Sequence, residues 1–225
     1  MIAPPPHTSI QCFAAEFLGA AMLLVGVVGS GIMAAALSPD NIGVALLANA
    51  VATGAILYVL ITILGPISGA HFNPAVTMAF WLNGEIGFGR AVGYTAVQMV
   101  GGILGVWLAH VMFDLSIIQF SSTPRAGVGA SVAEVVATAG LVFTILGGRQ
   151  HAPSLVPALV AIYITGAYWF TASTSFANPA VTVARALTDT FAGISPAHVP
   201  AFIVMQIVGA VVAVGMARGL FSPSP

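Results

Sequence analysis

Apolar stretches long enough to cross a bilayer recur along this chain, separated by short polar segments rich in turn formers. They predict six helices, over about residues 13–37, 42–64, 90–113, 132–146, 156–170 and 198–220. A hydrocarbon core of about 30 Å takes about 20 helical residues. The fourth and fifth stretches are shorter than that as bounded and are expected to extend at their ends. Turn-rich segments at 38–41, 121–129 and 147–154 separate neighbours.

Two more apolar runs, 74–82 and 179–187, are too short to cross. Each follows a small-residue loop ending in Asn-Pro-Ala. One reads Ser68-Gly69-Ala70-His71-Phe72-Asn73-Pro74-Ala75, the other Ser173-Thr174-Ser175-Phe176-Ala177-Asn178-Pro179-Ala180. Asn is a good N-cap, and Pro suits the first helical position, where its missing N–H costs nothing. Both runs are therefore predicted as half-spanning helices that begin inside the membrane. Their N-termini carry roughly half a positive charge each and unpaired N–H donors.

The order is span, span, half-span, span, and the chain gives it twice. Residues 10–113 form the first repeat and 128–221 the second, within one domain over 1–225. Glu16 in the first span answers to Glu134 in the fourth; Gln98 and Gly101 in the third answer to Gln206 and Gly209 in the sixth. Three crossings per repeat is an odd number, so the second copy is inverted in the membrane. The predicted fold is an all-α membrane protein of six transmembrane helices plus two half-spanning re-entrant helices. Irregular backbone at that depth is tolerated only where protein encloses it or it lines a wet cavity. The two Asn-Pro loops are thus expected to face each other across a pore.

Composition sharpens the picture. The chain is 59% hydrophobic and 5% charged, against roughly 25% charged in a soluble domain. It has no lysine, and the absence of basic clusters argues against nucleic acid as a partner. Residues 1–10 carry no Lys or Arg and no apolar core with a cleavage site, unlike a removable signal peptide. The single cysteine, Cys12, allows no internal disulfide and makes no metal site. No catalytic constellation is visible, so the chain does not read as an enzyme, and no cofactor is called for. With the N-terminus cytoplasmic, Arg90, Arg149 and Arg218 fall inside and Arg125 and Arg185 outside. Three against two is the direction of the positive-inside rule.

These features resemble the aquaporin/glycerol facilitator (major intrinsic protein) family over nearly the whole chain. The specific marks are the paired Asn-Pro-Ala boxes, the repeated Glu, and Gln-x-x-Gly in the third and sixth spans. The resemblance implies a homotetramer in the cell membrane, with one pore per subunit and cytoplasmic termini. The run 178–194 also resembles bacterial members associated with arsenic resistance, which points to a bacterial inner membrane.

The resemblance also implies roles. Asn73 and Asn178 donate to a solute at the pore centre. The carbonyls of Gly69, Ala70 and His71, and of Thr174, Ser175 and Phe176, form a line of acceptors along one wall. Glu16 and Glu134 brace these loops, the alternative being proton-coupling groups. His71 is either a pore-lining donor or pH gate, or a packed loop histidine. Gln98 and Gln206 read as struts between helices.

Counting from the boxes places the family's four-residue filter at Thr53, Gly166, Ser175 and Val181. A typical member has Arg where Val181 stands and at least one aromatic among the others. This set has no charge and no ring, so the expected pore is wider and less repulsive to cations. Phe176 replaces the usual Ala or Gly and either refills the space or packs behind the loop. Arg185 lies four residues beyond Val181, on nearly the same face of a continuing helix, with Asp189 a further four along as its i,i+4 partner. It either closes the half-helix or sets a displaced positive ring at the outer mouth. The expected function is a passive channel for water and small neutral solutes: polyols, urea, and metalloid hydroxides such as arsenous acid. The alternatives are a strict water channel and a coupled secondary transporter.

Overall fold

In the computed structural model, which describes residues 7–221, eight α-helices follow one another. They are α1 (Ser9–Leu37), α2 (Ile42–Ser68), α3 (Pro74–Leu82), α4 (Phe88–Met112), α5 (Val128–His151), α6 (Val156–Phe170), α7 (Pro179–Arg185) and α8 (Val199–Phe221). Six of these are long and apolar enough to cross a membrane, α6 with the 3₁₀ turn before it; α3 and α7 are the half-spans.

Local chemistry sets the ends. Thr8 and Gln11 form a capping box at the start of α1, with bonds of 2.8 and 3.3 Å. Asn73 Oδ1 accepts from the N–H of Ala75 at 2.8 Å and Asn178 Oδ1 from that of Ala180 at 2.9 Å, with Pro next to each cap. The first, second and fourth spans run longer than their apolar windows, while α6 keeps its window and is lengthened only by the 3₁₀ turn Pro153–Leu155. α5 takes in Val128–His151, and α2 continues through Pro66 until Gly69 turns it out at φ 94°.

One boundary departs from expectation. α7 stops at Arg185 instead of running to 187, because the N–H groups of Ala186 and Leu187 bond back to Val183 and Ala184 at 3.1 and 3.0 Å. These i→i+3 bonds close the helix, and the N–H of Ile194 then takes the carbonyl of Arg185 at 3.2 Å. The chain has reversed before Asp189. That carboxylate accepts from the N–H and hydroxyl of Ser122 at 2.8 and 2.9 Å, so the Arg185–Asp189 pair does not form.

The repeats pack alike. A Cβ on Gly101 of α4 would lie 2.4 Å from the carbonyl oxygen of Phe17 in α1, and one on Gly209 of α8 2.6 Å from that of Val135 in α5. Phe17 and Val135 directly follow Glu16 and Glu134. Lipid supplies no hydrophobic drive between helices, so close backbone contact at small residues holds them together. Leu24, Val28, Val106 and Ala109 are fully buried, whereas Leu18, Val51, Ile63, Val136 and Ile162 turn outward to lipid. The ends of α5 and α8 meet where Gln150 Nε2 donates to the carbonyl of Phe221 at 2.6 Å, and Arg218 of α8 donates to that of Leu82 at the end of α3.

Candidate functional site: the pore between the repeats

Both loops carry the same backbone signature. The fourth, third and first residues before each capping Asn have positive φ: Gly69, Ala70 and Phe72 at 94°, 52° and 48°, and Thr174, Ser175 and Ala177 at 59°, 51° and 47°. Five non-glycine residues in the left-handed region is a strained arrangement that needs outside support. Glu16 supplies it in the first loop. Its Oε1 accepts from His71 N at 2.9 Å and Ser68 Oγ at 2.6 Å, its Oε2 from Phe72 N and Gln98 Nε2 at 2.7 Å each. Glu134 does the same in the second loop. It takes Phe176 N and Ala177 N at 2.9 Å each and Gln206 Nε2 at 2.6 Å. Each Gln also reaches the Thr four residues beyond its capping Asn: Gln98 to Thr77 Oγ1 at 3.0 Å, Gln206 to Thr182 Oγ1 at 2.8 Å.

The two halves are joined at the centre. Asn73 Nδ2 donates to the carbonyl of Ala177 at 2.7 Å, and Asn178 Nδ2 to that of Phe72 at 2.9 Å. A side-chain amide has two N–H groups, so each Asn keeps one for pore contents.

A cavity of about 610 Å³ lies between the repeats, and both asparagines line it. Its walls are i,i+4 stripes, the spacing that shares one helix face: Leu23 and Val27 on α1; Thr53, Leu57 and Ile61 on α2; Leu141, Ile145 and Arg149 on α5; Val160, Ile164 and Tyr168 on α6. The loop residues Gly69, Ala70, His71, Phe72, Ser175 and Phe176 line it as well. Thr174 is not among the lining residues; its hydroxyl accepts from Arg125 Nη1 at 3.2 Å. His71 both lines the cavity and is packed, its Nδ1 3.0 Å from Thr77 Oγ1 and its ring 4.3 Å from that of Phe80. Thr77 Oγ1 also accepts from Gln98, and its two lone pairs and one proton let it either donate to His71 Nδ1 or accept from it.

Thr53, Ser175 and Val181 line the cavity and are buried. Gly166 does not line it. It falls midway between Ile164 and Tyr168, about 200° around the helix from both, and a Cβ there would face Phe170. The α6 side chain at this level is Tyr168, whose hydroxyl lies 3.1 Å from Thr53 Oγ1. The cavity lining beside Thr53 therefore has a ring. It also has a charge, because Arg185 lines the cavity with its guanidinium carbon 3.5 Å from the centroid of the Phe176 ring.

Residues 6–172 match the major intrinsic protein family. The chain is 52% identical over 210 residues to the aquaglyceroporin AqpS of Rhizobium meliloti (strain 1021), covering 93% of this chain and 90% of that one. The chain belongs to the major intrinsic protein family. Another relative of this major intrinsic protein is the aquaporin Z of Photorhabdus laumondii, 30% identical over 234 residues, 95% of this chain and 98% of that. The X-ray structure of the aquaglyceroporin from Plasmodium falciparum has the same fold, with a TM-score of 0.72 at 18% identity over 96% of this chain and 98% of that one.

Counting along a major intrinsic protein sequence missed two residues that line this cavity, Tyr168 and Arg149, and a third, Arg125, that holds the second loop. Tyr168 was hidden by counting back through a turn; the Val160, Ile164, Tyr168 periodicity would have found it. Arg125 sits in a turn-rich linker and reaches Gly193 O, Ser173 O and Thr174 Oγ1 at 2.8, 3.3 and 3.2 Å. Arg149 pairs with Glu85 at 2.6 Å and lies over Phe80 at 4.6 Å. No local pattern marks either arginine's contacts.

Proposed function

We propose that this major intrinsic protein is a passive channel for glycerol-like solutes and water, and that neutral metalloid hydroxides such as arsenous acid share its path. The observation that carries the reading is the two-sided wall. The two Asn and the loop residues Gly69, Ala70, His71, Ser175 and Phe176 line the cavity together with apolar Leu57, Ile61, Val160, Ile164 and Val181, and this supports a wall of loop carbonyls and amides facing apolar stripes. A small polyol has the same two-sidedness. Its hydroxyls exchange water for the loop carbonyls and the Asn N–H groups, while its carbon chain slides on the apolar stripes. A bare cation meets two positive helix ends at the centre and too few ligands to replace its hydration shell.

Val181 supports a pore wider than one for water alone, since it stands where the family commonly keeps an arginine. The engagement of Glu16 and Glu134 by loop N–H groups supports uncoupled flux, because neither carboxylate is spare for a driving ion. Four subunits, each with its own pore, and cytoplasmic termini complete the proposal. Arg90, Arg149 and Arg218 at the terminal face favour that orientation.

Stopped-flow swelling of proteoliposomes with water, glycerol, urea and arsenous acid tests it. Glycerol and arsenous acid entry above that of empty liposomes is the expected result. Water flux without solute flux would instead support a strict water channel, and saturable accumulation driven by an ion gradient a transporter.

A further inference from the structure

We propose that Arg185 is this channel's cation barrier and its donor to solute oxygen, the guanidinium being held on Phe176 with its Nη nitrogens turned to the pore. The inference rests on the channel reading above and adds to it the residue that selects.

Arg185 is only 2% exposed, yet it lines the cavity. Two contacts hold it. Nε donates to the carbonyl of Ala192, and the guanidinium carbon lies 3.5 Å from the Phe176 centroid. Phe176 cannot drift, since its N–H is on Glu134 at 2.9 Å and its ring meets Phe202 edge-on at 5.2 Å. Among the described residues, no acceptor takes a bond from either Nη nitrogen.

Nor is the charge neutralised. The only ion pair among the described residues joins Arg149 and Glu85. Asp189, the partner that sequence spacing offered, is bound to Ser122, and Glu134 is engaged by the loop and by Gln206. A second cation deepens the positive potential: Arg125 lies 5.0 Å from the same Phe176 centroid. An unpaired guanidinium at this depth is costly unless something solvates it. What remains to do so is the content of the pore.

Ser175 adds the second, independent observation. It lines the same cavity, and its Oγ is buried without a hydrogen-bond partner. Two unpartnered Nη nitrogens, in a cavity that Ser175 and the apolar Val181 also line, suit the oxygens of a small polyhydroxy solute. They offer a metal cation almost nothing.

The test uses parent, Arg185→Leu and Arg185→Lys proteins in proteoliposomes, with potassium leak, glycerol swelling and water swelling read on the same vesicles. In Arg185→Leu, potassium leak should rise by about tenfold or more, and glycerol permeability should fall relative to water. Lysine keeps the charge without the planar fork. Its leak should be low near about pH 6 and climb toward about pH 9 as a buried ammonium loses its proton. Parental leak and parental glycerol-to-water ratio in folded Arg185→Leu would overturn the proposal. If that variant does not fold, a pH-independent leak in Arg185→Lys overturns it. Parent vesicles that admit no glycerol would sink the channel reading instead, while the leak comparison still judges Arg185.

Discussion

Arg185 stacks over Phe176 at 3.5 Å, and the first repeat stacks Phe80 with His71 at 4.3 Å in the same two positions. In both repeats one partner lies two residues before the capping Asn and the other seven after it. Each ring also has an arginine over it from outside its own half-span: Arg149 over Phe80 at 4.6 Å and Arg125 over Phe176 at 5.0 Å. The backbone symmetry is kept while the chemistry is exchanged, imidazole and phenyl at one end against phenyl and guanidinium at the other.

Val181→Arg should narrow the constriction between Tyr168, Thr53 and Ser175. Glycerol flux should fall by about tenfold or more relative to water, the effect of about 1.4 kcal/mol of added barrier. Adding Thr53→Phe should deepen the bias. An unchanged glycerol-to-water ratio in the swelling assay would place the narrowest point elsewhere.

Glu134→Gln replaces an acceptor with a group that must turn an NH₂ toward Phe176 N, Ala177 N or Gln206 Nε2, all of them donors. A loss of about 2–3 kcal/mol is expected for charged hydrogen bonds broken in a buried site, read as a lower melting temperature in detergent. Solute flux should fall with it. Retained flux that no longer responds to a proton gradient would favour the proton-coupling role.

Asn178→Asp removes the donor to the Phe72 carbonyl and puts a carboxylate against that oxygen. Proton and cation leak should rise above the parent's, measured with a pH dye inside the vesicles. A parent-like leak would show that exclusion does not depend on the central amides.

Gly209→Ala places a methyl 2.6 Å from the Val135 carbonyl oxygen, backbone that cannot step aside. Overpacking of this kind costs about 1–3 kcal/mol. The equivalent Gly101→Ala, 2.4 Å from Phe17 O, should behave alike. Unfolding in graded denaturing detergent checks both.

The exposed Asp189 carboxyl is held below its usual pKa by the N–H of Ser122 and then its hydroxyl. A lowered folded value means the tie to Ser122 is present above the ordinary carboxylate range and is lost only as pH falls through the lowered value. Asp189→Ala should loosen that linker at neutral pH yet leave potassium leak at the parental level, because Asp189 does not pair with Arg185. A leak rising as in Arg185→Leu would contradict that separation.

Much of this was legible beforehand because bilayers leave few options. Only helices and closed barrels can cross and apolar runs of this length are helices, half-length runs after Asn-Pro must start inside, and an odd number of crossings inverts the copy. Asn73, Asn178, Glu16 and Glu134 sit in repeated patterns, and repetition is visible in one sequence. The misplacement of Gly166 has a different cause. Counting carried the family's spacing back from Ser175 across the turn that follows α6, where Thr174 N is bonded to Thr171 O at 3.1 Å, and took no account of which helix face it reached. The Arg185–Asp189 pair failed for a separate reason, a helix that closed early. Arg125 and Arg149 act across tens of residues of sequence, where spacing carries no information.

The two amide bonds at the centre, Asn73 to Ala177 and Asn178 to Phe72, bear on how such a molecule can work. A pump with inverted halves rocks one against the other about a midplane site, and its halves must separate there once per cycle. Here that plane is riveted by each half into the other's backbone, close to strained loops that Glu16 and Glu134 hold in place. Rocking would tear both rivets at once. With both bonds made, the path needs no rocking of the halves, and passive traffic then takes its direction from the two solutions the molecule separates.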